Sequence, residues 1–440
     1  MMPQNWDFGN ARKAAGSVAS RVIAPDSAVD AALAALGLES QTQEQCIFRI
    51  DPYGVPIYVV ERKREHDDPV YYKGKGYTDR ESLASGLMET VERISAEEFE
   101  GPVVRGTYSE LKNNGENVVN PLDLHALTLK AWSPPTVAPW AQGYDLLGKR
   151  ACYAPLNLVV MPYAGPEFFR SNSVGLGAGS TYEEAVCHAL CEVMEHDALC
   201  MANLFNPNSW RFEFLPEPGQ AGPASSQLAH PDTTPDLMFP LLRIDSFPET
   251  ALRVARALQD SGLLVFARNI SNDMGVPAVS CVLAETLPGG SCRAYLGHGA
   301  HTDAEHALVR ALCEAAQSHS VSRWMVENGK MKSIPESAGD PERLYGYGRS
   351  GDFSEIPSFC FRAIDEEIRF LLQRIERCGL EHALAFDLTK KKIGLPVVRM
   401  IVPGAEYLVM EPGEQKLGPR AQKLLEFRKA AFLNTVNIPR

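Results

Sequence analysis

Basic residues are the minority in this 440-residue chain: 43 Lys and Arg stand against 55 Asp and Glu, for a formal net charge of −12. A partner held through its phosphate backbone demands local positive charge, so nucleic acid is excluded as the main partner. Long apolar runs are missing too. None approaches the roughly 18 to 20 residues that cross a bilayer, and the opening MMPQNWDFGNARK has no apolar segment of signal-peptide type. The expectation is a soluble, cytoplasmic protein with no membrane partner. The ten cysteines stand singly, with no Cys-x-x-Cys pair, which argues against a zinc ribbon or a dithiol redox site. They read as small buried hydrophobes in a reducing compartment. Cys187 and Cys191 share a helical face, where core packing and thiol reactivity are both open. What remains is ordinary globular material, 45% hydrophobic, 22% charged and 8% aromatic.

No Ser/Gly linker or charge block divides the chain. The Pro-rich stretches 134–139 (PPTVAP) and 215–223 (PEPGQAGPA) read as surface loops, the second as a boundary or excursion. Residues 27–38 carry apolar residues at helical spacing with a Gly stop. A Gly-rich turn followed by Thr-x-x-Glu and an acidic helix occurs three times: Gly74 and Gly76 with Thr78 and Glu81, then Glu89 and Glu92; Gly175, Gly177 and Gly179 with Thr181 and Glu184, then Glu192 and Glu195; Gly297 and Gly299 with Thr302 and Glu305, then Glu314 and Gln317. Each Thr-x-x-Glu predicts a capping box, and residues three apart share a helical face. A second motif, Gly-Val/Leu-Pro at 54–56, 275–277 and 394–396, precedes β-rich runs and predicts the second strands of hairpins. Hairpin followed by acidic helix near 54–92 and again near 275–317 predicts two related halves. With strands at 239–244 and 263–270 around a helix at 249–262, the class is mixed α/β (α+β) with an antiparallel-rich sheet.

Glu-x-x-Glu is common on solvated helix faces, but the flanks here, such as Leu87, Met88 and Val91, or Ala185, Ala189, Leu190 and Met194, leave little exposed face. Buried carboxylates need cations. Hard oxygen ligands suit Mg²⁺, and glycine turns with Lys75 suit a polyphosphate, so Mg-ATP is the expected ligand. Neither a P-loop nor a protein-kinase motif set is present. A zinc site from His188, Glu192, Glu195 and His196, on one helical face, is the competing reading. A di-iron bundle would want Glu-x-x-His, which these helices lack.

The segments GKGYTDRESLASGLMETVER, GLGAGSTYEEAVCHALCEVMEHDA and GHGAHTDAEHALVRALCEAAQSH resemble the three ATP-binding motifs of the YcaO superfamily, and GLPVVRMIVPGAE resembles its C-terminal signature. The likeness covers roughly residues 45–410 and is nearest to the TfuA-associated branch. It implies a catalytic domain over 45–410, an N-terminal helical segment over 1–44 and a tail over 411–440. It further implies an enzyme that uses ATP to phosphorylate the oxygen of a peptide-backbone amide, which a nucleophile then displaces: a sulfide equivalent, giving a thioamide, in the TfuA-associated branch, or a Cys, Ser or Thr side chain in azoline-forming members. Clustered Mg²⁺ would neutralise charge on the phosphoryl group in flight.

Carried across by position, Glu89 and Glu92 match the Mg-binding pair of the first helix, with Ser85 and Arg93 beside them. Glu184, Glu192 and Glu195 match the second motif, Glu184 as a nucleotide contact or only a cap. Glu314 and Gln317 match the third. Arg310 and Lys75 are candidates for phosphate, against a structural ion pair and plain solvation respectively. The family's usual Arg is replaced by His196 after the second pair and by His319 after the third, which removes fixed positive charge; His196 is then a candidate for proton transfer. An Asn usual in the second glycine turn is replaced, with Val174 and Ser180 in the nearest slots. The ending FLNTVNIPR has no Pro-x-Pro tail of the azoline-forming kind, so thioamide formation is the first expectation, with a peptide or protein substrate, a TfuA-like partner and a homodimer. Azoline cyclodehydration and macrocyclic amidine formation follow. A non-catalytic scaffold presenting a leader peptide is the alternative of another class.

Overall fold

The computed structural model describes residues 6, 8–9, 11–14, 19–38, 46–63, 68–127, 135–166, 168–169, 171–204, 239–407 and 417–426. The Pro-rich 215–223 lies outside them. The other Pro-rich stretch is a loop only in part, since a strand begins at Ala138.

Sheets form where the Gly-Val/Leu-Pro signals place them. Strands β1 (Ile47–Ile50), β2 (Ile57–Arg62) and β3 (Val70–Lys75) make one antiparallel sheet. A second has the order β12-β11-β10-β9-β8-β13, built on β9 (Leu264–Asn269), β10 (Ala278–Thr286) and β11 (Ser291–Ala300). Its edges are the two-residue strands β12 (Ser337–Ala338) and β13 (Ser350–Gly351), the latter parallel to the equally short β8 (Leu241–Leu242), which pairs with β9. A third has the order β4-β5-β14-β15-β7, from β4 (Val103–Gly106), β5 (Ala138–Asp145), β7 (Leu176–Ala178), β14 (Leu384–Asp387) and β15 (Val397–Ile401), with β6 (Arg150–Pro155) on β5.

The longer helices are α1 (Pro25–Leu36), α2 (Asp79–Ala96), α5 (Tyr182–Asn203), α6 (Glu249–Asp260), α7 (Ala304–Glu327), α9 (Ile364–Arg377) and α10 (419–426). The short α3 (Tyr108–Asn113), α4 (Leu156–Val159) and α8 (Pro341–Tyr345) lie in connections. Helix α1 stops at Gly37, which takes the left-handed conformation that a helix C-terminus favours. The capping box of α2 is complete: Glu81 N donates to Thr78 Oγ1 and Thr78 N to Glu81 Oε2. In α5 it is half formed, because the Glu184 carboxylate accepts from Ser180 N and Val22 N instead. The third does not form. Helix α7 starts one residue later, with Asp303 accepting from His306 N, and the Thr302 hydroxyl donates to Glu367 in α9.

The repeated hairpin–helix unit extends to a third copy, assembled from distant segments. Residues Ile57, Ala278 and Val397, each just after the Pro, pair with Lys75, Ala300 and Ala178 at the ends of β3, β11 and β7. Those strands lead to α2, α7 and α5. The glycines serve this packing and form no open turn for phosphate. A Cβ on Gly74 would lie 2.0 Å from Ser82 O, on Gly177 2.4 Å from Ala185 O, and on Gly297 2.2 Å from Ala315 N. Each strand thus lies directly on the backbone of its own helix, and alternation turns the next residue to the opposite face. Lys75 faces α7, and the opposite face of β11 meets α5.

Candidate functional site

The acidic faces of α2, α5 and α7 converge. Glu92 is buried, and burial together with the Glu89 carboxylate pushes it up to about 7 against the pull of Arg93 and Arg399. Burial, with Glu92 and Glu195 nearby, raises Glu192 well above the ordinary carboxylate range. Glu195 accepts from Ala300 N at 2.9 Å; burial opposes its charge, but Arg310 and Lys75 outweigh that and hold it low. Lys75 is bound to Glu314 and faces Glu195, Glu89 and Glu192, so the strand-end lysine ties the three helices together. Burial and the like charge of Arg310 lower it to about 8. Arg93 lies 3.6 Å from Glu89 and 3.7 Å from Glu92.

Of the residues expected from the sequence, Glu89, Glu92, Arg93, Glu192, Glu195, His196, Lys75, Arg310 and Glu314 share this cluster through such contacts. Gln317 is buried one turn beyond Glu314 on α7. Ser85 is half-buried one turn before Glu89 on α2. Glu184 stands apart: it holds the N-terminal segment through Val22 N, with Arg21 at 3.9 Å. His319 also stands apart. Its ring meets the Tyr53 hydroxyl at 2.8 Å and packs edge-on to Tyr295, and burial lowers it to about 4. Cys187 and Cys191 are buried free thiols, and hydrogen bonding to Cys191 with burial raises Cys187 far from the reactive range. The zinc reading finds no support: among the described residues no three His, Cys, Asp or Glu are grouped to hold a metal alone.

Sequence reading missed Arg399, which is buried on β15 and faces Glu192 and Glu92; burial lowers it to about 10. Its signal was the Arg inside VVRMIV, hidden among strand-forming neighbours. Also missed was the N-terminal segment. Lys13 lies 3.0 Å and Ser20 Oγ 2.5 Å from the buried Glu367, and Ser20 meets His301 at 3.0 Å. With Arg21, His188, Cys191 and Arg310, Ser20 and His301 line a cavity of about 30 Å³, room for a water or two. Arg310 belongs to both places, so the cavity and the carboxylate cluster share a wall. No local spacing in the sequence announces such a tertiary contact.

Orphaned buried atoms test the fit of a magnesium nucleotide. Arg310 Nε, Arg399 Nε and Nη1, and Gln317 Nε2 are buried without hydrogen-bond partners. Unmatched donors beside under-neutralised carboxylates are the donor set that phosphate oxygens and a hard cation would complete. Mg²⁺ takes one or two carboxylates along with phosphates and water, so a closed protein cage is not required.

An antiparallel-rich α/β fold on which three acidic helices converge, in a sequence without a P-loop, defines the class. The chain belongs to the YcaO family: the model described as YcaO cyclodehydratase, ATP- and Mg²⁺-binding, matches residues 73–406. Members are ATP-dependent enzymes that modify peptides, with ATP and Mg²⁺ as cofactors. A protein of Rhizobium leguminosarum bv. trifolii described as an uncharacterized protein in tfuA 3'region is 26% identical over 381 residues, 81% of either chain. A heterocyclase in complex with substrate and cofactor superposes with a TM-score of 0.73 at 22% identity, over 96% of this chain and 57% of that longer one. YcaO from Methanopyrus kandleri, bound with AMPPCP and Mg²⁺, gives 0.67 at 22%, over 91% of this chain and 99% of its own.

Proposed function

We propose that this chain phosphorylates the carbonyl oxygen of a peptide-backbone amide with ATP, and that a sulfide equivalent then replaces the phosphate to leave a thioamide. The observation that carries the reading is the convergence of α2, α5 and α7, whose carboxylates exceed the positive charge available to keep them ionised. Glu89, Glu92, Glu192 and Glu195 would hold Mg²⁺, which supplies charge neutralisation for the phosphoryl group. Lys75, Arg93, Arg310, Arg399 and Gln317 would meet phosphate oxygens, with Glu314 orienting Lys75 and Ser85 at the rim. The amide oxygen attacks the γ-phosphorus and ADP leaves; hydrosulfide adds to the activated carbon; phosphate departs with loss of the S–H proton. The amide oxygen, a poor leaving group, thereby becomes a good one.

The thioamide outcome and a TfuA-like partner draw support from the relative described by its place in a tfuA 3'region. An azoline outcome shares every step up to the attack and draws support from the cyclodehydratase description of the family model. A homodimer and a peptide or protein substrate belong to the same proposal. Incubation with Mg-ATP, sulfide and the candidate peptide, read by mass, tests it. Sulfur-for-oxygen exchange is the expected product. Loss of one water would establish cyclisation instead, and an unmodified peptide with no phosphate release would support a scaffold.

A further inference from the structure

Two adjoining imidazoles in the cluster, His298 and His196, are used by neither a triphosphate nor a magnesium ion. Gly297 and Gly299 on β11 lie so close to α7 that a Cβ on either would fall 2.2 Å from its backbone. Alternation along the strand then sends His298 to the opposite face, toward α5, where Ala300 N meets Glu195 two residues on. There its neighbours are Glu195, His196 and Lys75. His298 Nδ1 is buried and has no hydrogen-bond partner. Magnesium favours hard oxygen, and phosphate has Lys75, Arg310 and Arg399 within the same cluster, so two adjoining imidazoles are surplus to both. A neutral imidazole offers one donor and one acceptor, the same complement that a secondary amide presents.

We infer that His298, with His196 as the adjoining wall, is the subsite for the peptide amide, its unpartnered ring nitrogen accepting the amide N–H. The inference rests on the amide-phosphorylation reading and names the group that presents the substrate. An acceptor on the N–H shifts electron density toward the carbonyl oxygen, the atom that must attack phosphorus. It also selects against N-alkylated positions such as an X-Pro bond, which have no N–H to offer.

The test uses the full chain with ¹⁵N-labelled histidine, saturated with Mg-AMPPCP and titrated with two probes: N-acetylglycine N-methylamide, and its analogue with both amide nitrogens methylated. Spectra of His298→Asn assign the resonance, and His298→Gln serves if that variant does not fold. The expected result is a saturable shift of the His298 ring nitrogen with the N–H probe and none with the methylated one. No shift with either, or equal shifts with both, would overturn the subsite. Calorimetry on the wild-type sample separates the two levels: failure to bind Mg-AMPPCP would sink the parent reading, whereas binding without a probe-selective shift sinks only this inference.

Discussion

Glu92 and Glu192 come from different helices and meet with Arg93 and Arg399 as nearby cations, and both are pushed toward the protonated form. Like charges held in a low-dielectric site store repulsion that a bound cation relieves. Glu192→Gln is therefore expected to raise the stability of the nucleotide-free protein by about 1 kcal/mol while weakening Mg-ATP at least about tenfold. Denaturant midpoints and calorimetry on one preparation check both signs; a variant that loses stability without losing affinity contradicts this role. Away from the site, His382 Nδ1 meets the buried Asp145 at 2.8 Å. The hydrogen bond to Asp145 raises His382. Burial opposes Asp145, but His382 and backbone amides outweigh it and hold the carboxyl low. The histidine's contribution is full below its unfolded value near 6.5 and fades as pH climbs through the raised folded value, while the aspartate's fades only at acid pH. His382→Ala should cost about 1–2 kcal/mol at pH 6 and less at pH 8.5, read from urea unfolding. An equal loss at both would refute the pairing.

The three strand–helix units depend on glycines whose role is steric. Gly297→Ala would thrust a methyl into the backbone of α7 at Ala311 and Ala315, a cost of about 3 kcal/mol or more. Gly289→Ala, in an open turn with positive φ, should cost only about 1 kcal/mol. Comparable denaturant midpoints for the two variants would contradict the packing role. Much of this level was legible in the sequence. Thr78 and Glu81 cap α2 through neighbours in the chain, and the three prolines mark strand starts because a missing donor is tolerated there. What was not legible depends on contacts from afar. Thr302 abandons its cap because Glu367 in α9 takes its hydroxyl. The glycines looked like phosphate turns because closeness to a helix and closeness to a ligand leave the same mark in a sequence. The acidic faces themselves were readable from i, i+3 spacing, whereas Arg399 was not, since a buried guanidinium on a strand becomes intelligible only with the carboxylates of other units around it.

Across the whole molecule, the units form a ring in which each strand lies on its own helix and turns its other face to a neighbour. Far-apart segments close that ring. The hairpin of β14 and β15 completes the unit of α5, and α10 brings Arg420 to within 2.6 Å of the buried Asp197, one residue beyond His196. The N-terminal segment covers the cavity beside Arg310 from the other side. The centre holds carboxylates short of cations and buried donors without acceptors, the two features on which the proposed magnesium-nucleotide site rests. Crystals grown with Mn²⁺ in place of Mg²⁺ and with AMPPCP, examined by anomalous scattering, test this most directly. The account predicts manganese peaks within coordination distance of carboxylates from both α2 and α5, with phosphate oxygens against Lys75, Arg310 and Arg399. Manganese bound elsewhere, or a nucleotide seated away from these helices, would contradict it.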